Sequence, residues 1–309
     1  MTPEQPSTAG GAAGDVVRGI ALTHPDRVLY PDQGLTKRDL VAYYDAVAER
    51  MMPLIQDRPL SLVRCPQGSG GKCFFQKHAS QGFPEAMAQV EIEESDGEVK
   101  PYLYAKDATA VIAAVQMGAL EFHIWGCRAD SLEKPDRLVF DLDPDTGLGF
   151  DAVKQAARDI RDRLAELGLE TWPMVTGGKG LHVVAPLRRS ADWDLVKAFA
   201  KGLAQAIVDA EPARFIATMS KAKRTGKIFI DWLRNERGST AIAPYSTRAR
   251  AGAPVALPLA WSELAALSAA NSFAPAAAVE RLADPDPWSA ARSVQQAITR
   301  TMLRRLESI

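Results

Sequence analysis

Arg137-Leu-Val-Phe-Asp141-Leu-Asp143-Pro144 is the stretch on which the reading of this chain turns. It reads as a β-strand that ends in chemistry. Side chains alternate along a strand, so Leu138, Phe140 and Leu142 face one way and Val139, Asp141 and Asp143 the other. Pro144 has no N–H to give a sheet and stops the ladder just beyond the acids. Two carboxylates this close repel unless a cation sits between them. Hard oxygen ligands suit Mg²⁺ or Mn²⁺, held together with substrate phosphates. The plainer reading is a strand running into an acidic turn, Asp143-Pro-Asp-Thr-Gly147, built from ordinary turn residues.

A second signal lies downstream. Thr171-Trp-Pro-Met-Val-Thr176-Gly-Gly-Lys179-Gly-Leu-His182-Val-Val-Ala-Pro186 reads as strand, glycine turn, strand. Glycines let backbone N–H groups close on an anion, and Lys179 adds a positive charge. The spacing is not that of a nucleotide-binding P-loop, and a strand rather than a helix follows, which excludes that class. A plain tight hairpin, with His182 as a structural strand residue, is the alternative. Lys227-Ile-Phe-Ile-Asp231-Trp supplies a third acid in an apolar strand. An unpaired carboxylate there would cost several kcal/mol, on the order given for buried charge. Asp231 therefore either joins a metal site or pairs with Arg234 or Arg224.

Composition bounds the rest. The chain has 309 residues, 47% hydrophobic and 24% charged, with net charge −1, as expected for an ordinary globular protein of one or two domains. No global basic field points to nucleic acid, but residues 214–250 hold nine Lys or Arg against Asp231 and Glu236. Cys65, Cys73 and Cys127 lack metal-site spacing, so free thiols in a reducing compartment are expected. No apolar run is long enough to span a membrane, and no signal peptide is read; the expected location is cytoplasmic.

In chain order, residues 1–14 are small and polar and are expected to be a disordered linker or tail. Gly19–Thr23 reads as a strand and His24–Pro31 as a loop pinned by prolines. Thr36 caps a helix, with Asp39 completing a capping box. Arg58–Arg64 and Cys73–His78 read as strands, and 90–104 as a hairpin turning at Asp96-Gly97. A helix is expected over 108–120 and a strand over 121–125 that carries Glu121, His123 and Trp125 on one side. Helices follow at 150–167, ended by Gly168, and at 192–208, with a last helix over 288–307. Phe74 and Phe75 point opposite ways, so one is expected in the core and the other is free to stack on a base. His24, Arg27 and Lys37 read as surface cations.

Taken together, these motifs resemble a known family. His24-Pro-Asp-Arg27-Val-Leu-Tyr-Pro31, Arg58-Pro-Leu-Ser-Leu, Asp141-Leu-Asp143-Pro144, Thr176-Gly-Gly-Lys-Gly-Leu-His182, Ser220-Lys-Ala-Lys-Arg224, Phe229-Ile-Asp231 and Pro244-Tyr-Ser-Thr-Arg248 are similar, in order and spacing, to the polymerase domain of bacterial DNA ligase D. That family sits within the archaeo-eukaryotic primase superfamily. The resemblance covers about residues 20–265 and implies an α/β (α+β) primase-polymerase fold. Mixed sheets, an RRM-like catalytic part and flanking helices belong to it, and residues 266–309 would form a C-terminal helical extension of one domain spanning 15–309. It implies nucleotidyl transfer on primer-templates, gaps and broken ends in non-homologous end joining, with a preference for ribonucleotides and for Mn²⁺ or Mg²⁺.

Carried over by position, Asp141, Asp143 and Asp231 would be the catalytic metal ligands. Thr176, Lys179, His182 and Arg248 would hold the NTP or dNTP, His123 would lie near the sugar, and Phe75 would stack near the incoming base. His24, Arg27 and Lys37 would grip the 5′-phosphate across a gap, and Arg224 would meet the template. The partners that the resemblance implies are DNA ends, a Ku-type end-binding protein and a ligase domain, with nucleoid association and no membrane. Thr176 stands where the family usually has Ser, and His24 where Asn or His is expected. A stand-alone primase, or a catalytically idle DNA-end-binding module, are the competing readings; retention of all three aspartates argues against the second.

Overall fold

The computed structural model describes residues 15–79 and 82–307; the linker expected at 1–14 lies outside them. Two short ribbons come first, Val16–Val17 (β1) with Ile20–Ala21 (β2) and Val28–Tyr30 (β3) with Leu35–Thr36 (β4). Helix α1 (Lys37–Ile55) follows, then β5 (Leu60–Arg64), β6 (Phe74–Gln76), β7 (Ala88–Glu93), β8 (Val99–Tyr104), α2 (Ala108–Gln116) and β9 (Ala119–Trp125). The next block is β10 (Arg137–Pro144), α3 (Phe150–Glu166), β11 (Trp172–Val175), β12 (Leu181–Pro186), α4 (Trp193–Ala210), β13 (Phe215–Ile216) and β14 (Ile228–Asp231). Strands β15 (Thr240–Ile242) and β16 (Leu257–Pro258) and helices α5 (Pro275–Glu280) and α6 (Arg300–Glu307) close the chain.

Local rules explain most of these elements. Thr36 Oγ1 accepts from Asp39 N at 3.2 Å while Asp39 Oδ2 accepts from Thr36 N at 2.8 Å, the reciprocal cap expected for α1. Leu40, Val41, Tyr44, Val47 and Met51 then form its buried stripe. Asp96-Gly97 turns the β7–β8 hairpin, with Gly97 at φ 83°. Gly168, at φ 82°, ends α3 as expected.

A six-stranded sheet runs β13-β14-β10-β12-β11-β16, and a four-stranded sheet runs β15-β9-β5-β6. Within the first, β10-α3-β11-β12-α4-β14 is a βαββαβ unit with spatial order β14-β10-β12-β11, all neighbours antiparallel. This is the RRM-like part, and it gives β10 the central place. Leu138, Phe140 and Leu142 are fully buried in the core that includes apolar residues of α3 and α4. The opposite face of β10 carries Arg137, Val139, Asp141 and Asp143. On that side Val139, Met174, Val184, Ile242 and Trp288 make a smaller core.

Four expectations are corrected. Cys65 and Cys73 are disulfide-bonded, and only Cys127 is free among the described residues. Register causes the bond: Arg64 pairs with Phe74, so the next two residues oppose each other, with Cα atoms 4.3 Å apart. Neither Phe74 nor Phe75 is in the core; they are 42% and 68% exposed because β6 is a three-residue edge strand. The 24–31 loop contains β3. Finally, the last helix starts at Arg300 rather than 288, since Trp288 and Ala291 are drawn into the smaller core by a short 3-10 turn.

Candidate active site

β10 lies between β12 and β14, and the two ladders bring the acids together. Asp141 is opposite His182 on one side and opposite Asp231 on the other. Asp143 follows on the same face. Asp141 and Asp231 are buried and Asp143 half-buried. Arg234, on the 3-10 turn after β14, reaches back with Nη2 3.0 Å from Asp231 Oδ2 and 3.4 Å from Asp141 Oδ2. His182 Nε2 stands 3.5 Å from Asp141 Oδ1, and its buried Nδ1 has no partner.

This crowding divides the three carboxyls. Burial would push Asp141 up, but the facing His182, Arg234 and Arg248 hold it below the usual carboxylate range. For Asp143, burial and the Asp141 charge outweigh the pull of Arg234 and His182 and push it up to about 6. Burial also raises Asp231, against Arg234. The cluster therefore carries more negative charge than its own cations balance.

A divalent metal fits that excess and the all-oxygen donor set. As placed, however, no three carboxylate, imidazole or thiol groups among the described residues stand close enough to hold an ion together. The Arg234 guanidinium lies against Asp141 and Asp231, and it supplies part of the charge that a metal would bring.

The glycine hairpin joins β11 to β12 beside these acids. Thr176 N and Oγ1 both donate to Gly180 O, at 3.2 and 3.0 Å, and Gly178 N donates to Thr176 Oγ1 at 3.3 Å. Gly180 is required by space: a Cβ there would lie 2.2 Å from Leu142 O, between the two aspartates of β10. Lys179 is exposed at the tip. Arg248 Nη1 donates to Thr176 O at 2.8 Å and its Nε lies 3.1 Å from Glu121 Oε2. Glu121 also faces His123 Nε2 at 2.8 Å and accepts from Ala249 N at 2.8 Å. Burial opposes ionisation of Glu121, yet the His123 bond and Arg248 bring it down to about 2. One buried carboxylate thus orients both the imidazole and the guanidinium.

His123, Asp141, Asp143, Thr176, Lys179, His182 and Arg248 all line one cavity of about 320 Å³, with Arg234 and Arg250. Lys179 of the hairpin and Arg248 and Arg250 of the 248–250 loop bring positive charge to it, and Asp141 and Asp143 bring the acids; Asp231 lies outside its lining. Such a cavity can bind a polyphosphate and a cation side by side. Phe75 does not line it, but its exposed ring stands edge-on to His123 at 5.8 Å.

A separate pocket of about 210 Å³ gathers His24, Arg27, Lys37 and Arg64. Lys37 is not the surface cation expected. It is 4% exposed, and Nζ donates to Thr23 O at 2.6 Å, Gln116 O at 3.1 Å and Gln116 Oε1 at 3.3 Å. Its burial comes from the Thr23 loop and the end of α2 folding over the start of α1. Arg27 is exposed and donates one bond, to Pro66 O at 3.0 Å. Arg224 lies outside both pockets, stacked 3.7 Å over the Phe229 ring.

Arg234, Arg250, Glu121 and Arg64 belong to these sites, and no motif in the sequence marks them as site residues. Arg234 had a signal, its i+3 spacing from Asp231, which reads equally as a simple ion pair. Glu121 had only its place two residues from His123 on one strand face.

Residues 36–288 match the family model for the LigD primase-polymerase domain. The chain is 38% identical over 301 residues to the multifunctional non-homologous end joining protein LigD of Pseudomonas aeruginosa, covering 96% of this chain and 36% of that protein. It is 28% identical over 246 residues to the bifunctional non-homologous end joining protein LigD of Bacillus subtilis, covering 79% of this chain and 39% of that protein. The chain thus spans between a third and two fifths of the length of these relatives. Its fold superposes with a TM-score of 0.83 on the polymerase domain from Mycobacterium tuberculosis ligase D in complex with DNA, at 34% identity, covering 89% of this chain and 99% of that one.

Proposed function

Since the chain belongs to the LigD primase-polymerase family, we propose that it is a DNA-directed nucleotidyltransferase that extends primers and fills gaps at double-strand breaks, with a preference for ribonucleotides. The observation that carries this reading is the convergence of Asp141, Asp143 and Asp231 on one sheet face, with Asp141 and Asp143 lining the same cavity as Lys179 and Arg248. That pairs a cation-seeking cluster with a polyphosphate-seeking one, which is what joining a 3′-hydroxyl to a nucleoside triphosphate needs.

In this reading the three aspartates hold one or two Mg²⁺ or Mn²⁺ ions. Such ions, when bound, acidify the attacking hydroxyl and neutralise the leaving pyrophosphate. Lys179, Arg248 and Arg250 take the triphosphate, with Glu121 holding Arg248 in place. His182 offers its unpartnered Nδ1 to the bound nucleotide. His123, oriented by Glu121, lies toward the sugar, and the exposed Phe75 ring stacks on a base. His24, Arg27 and Arg64 take the downstream 5′-phosphate, with Lys37 at the floor of that pocket. Arg224 meets the template strand. A Ku-type end-binding protein and a ligase domain complete the proposed setting of break repair.

The test is extension of a labelled primer by the wild type and by Asp141→Ala, with and without Mn²⁺, alongside DNA binding. Metal-dependent extension in the wild type, its loss in the variant and retained DNA binding are expected. Near wild-type extension by Asp141→Ala removes the site assignment, and synthesis without any primer makes the protein a primase instead.

A further inference from the structure

The N-terminal end of β10, away from the aspartates, holds a cluster that nucleotide transfer does not use. Arg137 lies on the same face as Asp141 and about 13 Å from it by strand rise. It is 6% exposed, and its Nε and Nη2 have no hydrogen-bond partner. Its ladder neighbour, Pro186, ends β12. Two further guanidiniums are close. Arg58 binds Asp136 through both Nη atoms, at 2.5 and 2.8 Å, and Arg128 Nε donates to the same carboxylate at 3.2 Å. Asp136 is thereby spent on Arg58 and Arg128, and three arginines share one carboxylate. Burial and the neighbouring Arg58 bring the Arg137 guanidinium down to about 9, against the pull of Asp136.

The cluster opens into a cavity of about 270 Å³. Its other wall is apolar, formed by Leu54, Val184, Trp288 and Val294. Trp288 is fixed there by donating Nε1 to Pro173 O at 3.2 Å. Exposed Arg188 stands at the rim with no ion pair among the described residues. A buried guanidinium with unpartnered nitrogens is costly, so replacing it by an apolar side chain of similar size relieves that cost. Beside an open cavity such a group calls for an anion. Three arginines against one aspartate leave two positive charges, which matches a dianionic phosphate better than a carboxylate. The apolar wall calls for a flat body attached to it.

We propose that this cavity is a second ligand site, distinct from the nucleotide cavity, that binds a small phosphomonoester carried on a flat apolar body, with Arg137 taking the phosphate and the Trp288 wall taking the body.

Phenyl phosphate is the probe, titrated calorimetrically into the full chain in metal-free buffer, with inorganic phosphate and benzoate as parallel arms. Wild type and Lys179→Ala should bind phenyl phosphate equally, because Lys179 belongs to the other cavity. Arg137→Met should bind about tenfold to a hundredfold more weakly, the range for a lost charged hydrogen bond. Without ligand, its Tm should equal or exceed that of the wild type. Val294→Asp, which adds a negative charge at the half-buried rim, should also abolish binding and tests the site if Arg137→Met fails to fold. Inorganic phosphate binding as tightly as phenyl phosphate would mean an adventitious ion only. Tighter binding of benzoate would overturn the phosphate assignment. Loss of binding in Lys179→Ala, undiminished binding in Arg137→Met or Val294→Asp, or a lower ligand-free Tm for Arg137→Met would each overturn the proposal.

Discussion

Gly180→Ala should disable the active site while leaving the protein folded. The new Cβ would lie 2.2 Å from Leu142 O, 3.2 Å from Leu142 C and 3.6 Å from Asp141 Oδ1. Leu142 O is backbone and cannot swing aside. Relief to ordinary contact at 3.4 Å moves the start of β12 from β10 by about 1.2 Å. That separation falls between Asp141 and Asp143, and it drags the Thr176–Gly180 turn with it through the two Thr176 bonds. A misplacement of about 1 Å in reacting groups is worth about a hundredfold in rate. Overpacking costs about 1–3 kcal/mol, a drop of a few degrees in Tm at about 2–4 °C per kcal/mol, which the Tm measurement separates from the loss of rate. Gly178→Ala is the control, since its Cβ would meet nothing nearer than 3.4 Å. Single-turnover primer extension at saturating nucleotide, with Tm measured alongside, is the assay. About a hundredfold loss for Gly180→Ala and a near wild-type rate for Gly178→Ala are expected. If the two variants extend at similar rates, the close approach of β12 to β10 does not set the spacing of the carboxylates.

Three further outcomes follow from the same geometry. Thr176→Val removes a hydroxyl engaged with Gly180 O and Gly178 N, so kcat/KM should fall for ATP and dATP alike, by an amount set by a neutral bond of about 0.5–1.5 kcal/mol; a changed ATP-to-dATP ratio would assign the hydroxyl to sugar selection. Arg27→Ala should weaken the preference for a 5′-phosphorylated gap and reduce the salt dependence of binding by about one phosphate contact, whereas an unaltered slope would take Arg27 out of phosphate binding. Asp136→Asn leaves the buried Arg58 unpaired and should destabilise by about 3–5 kcal/mol in urea unfolding at neutral pH. Burial opposes the Asp136 charge, but Arg58 and Arg128 keep its folded pKa below the ordinary carboxylate value. Its stabilisation is therefore present above that ordinary value and lost as pH falls through the folded one, so the gap between variant and wild type should close in acid; a gap that stays constant refutes the ion-pair account.

Much of this molecule is written in short-range rules. The period of two in 137–144 put Asp141 and Asp143 on one face, Thr36 and Asp39 capped α1, Asp96-Gly97 turned a hairpin, and Thr176–Gly180 closed another beside a lysine. Each depends on residues within a few positions of one another, where backbone geometry and side-chain reach decide. The motif set also carried the family, because order and spacing are properties of the chain. Which groups finally meet was decided elsewhere. Asp141 faces Asp231 only because β14 pairs with β10 in that register, and Glu121 holds Arg248 only because the 248–250 loop returns to β9. Lys37 reads as an exposed cation at a helix start until the Thr23 loop and the end of α2 enclose it. Cys65 and Cys73 read as free thiols until the β5–β6 register sets them opposite each other. Arg137 merely opens a strand in the sequence, and only the fold buries it beside two other arginines. Contacts between distant segments are selected by packing the whole core, and no local period, cap or turn encodes them.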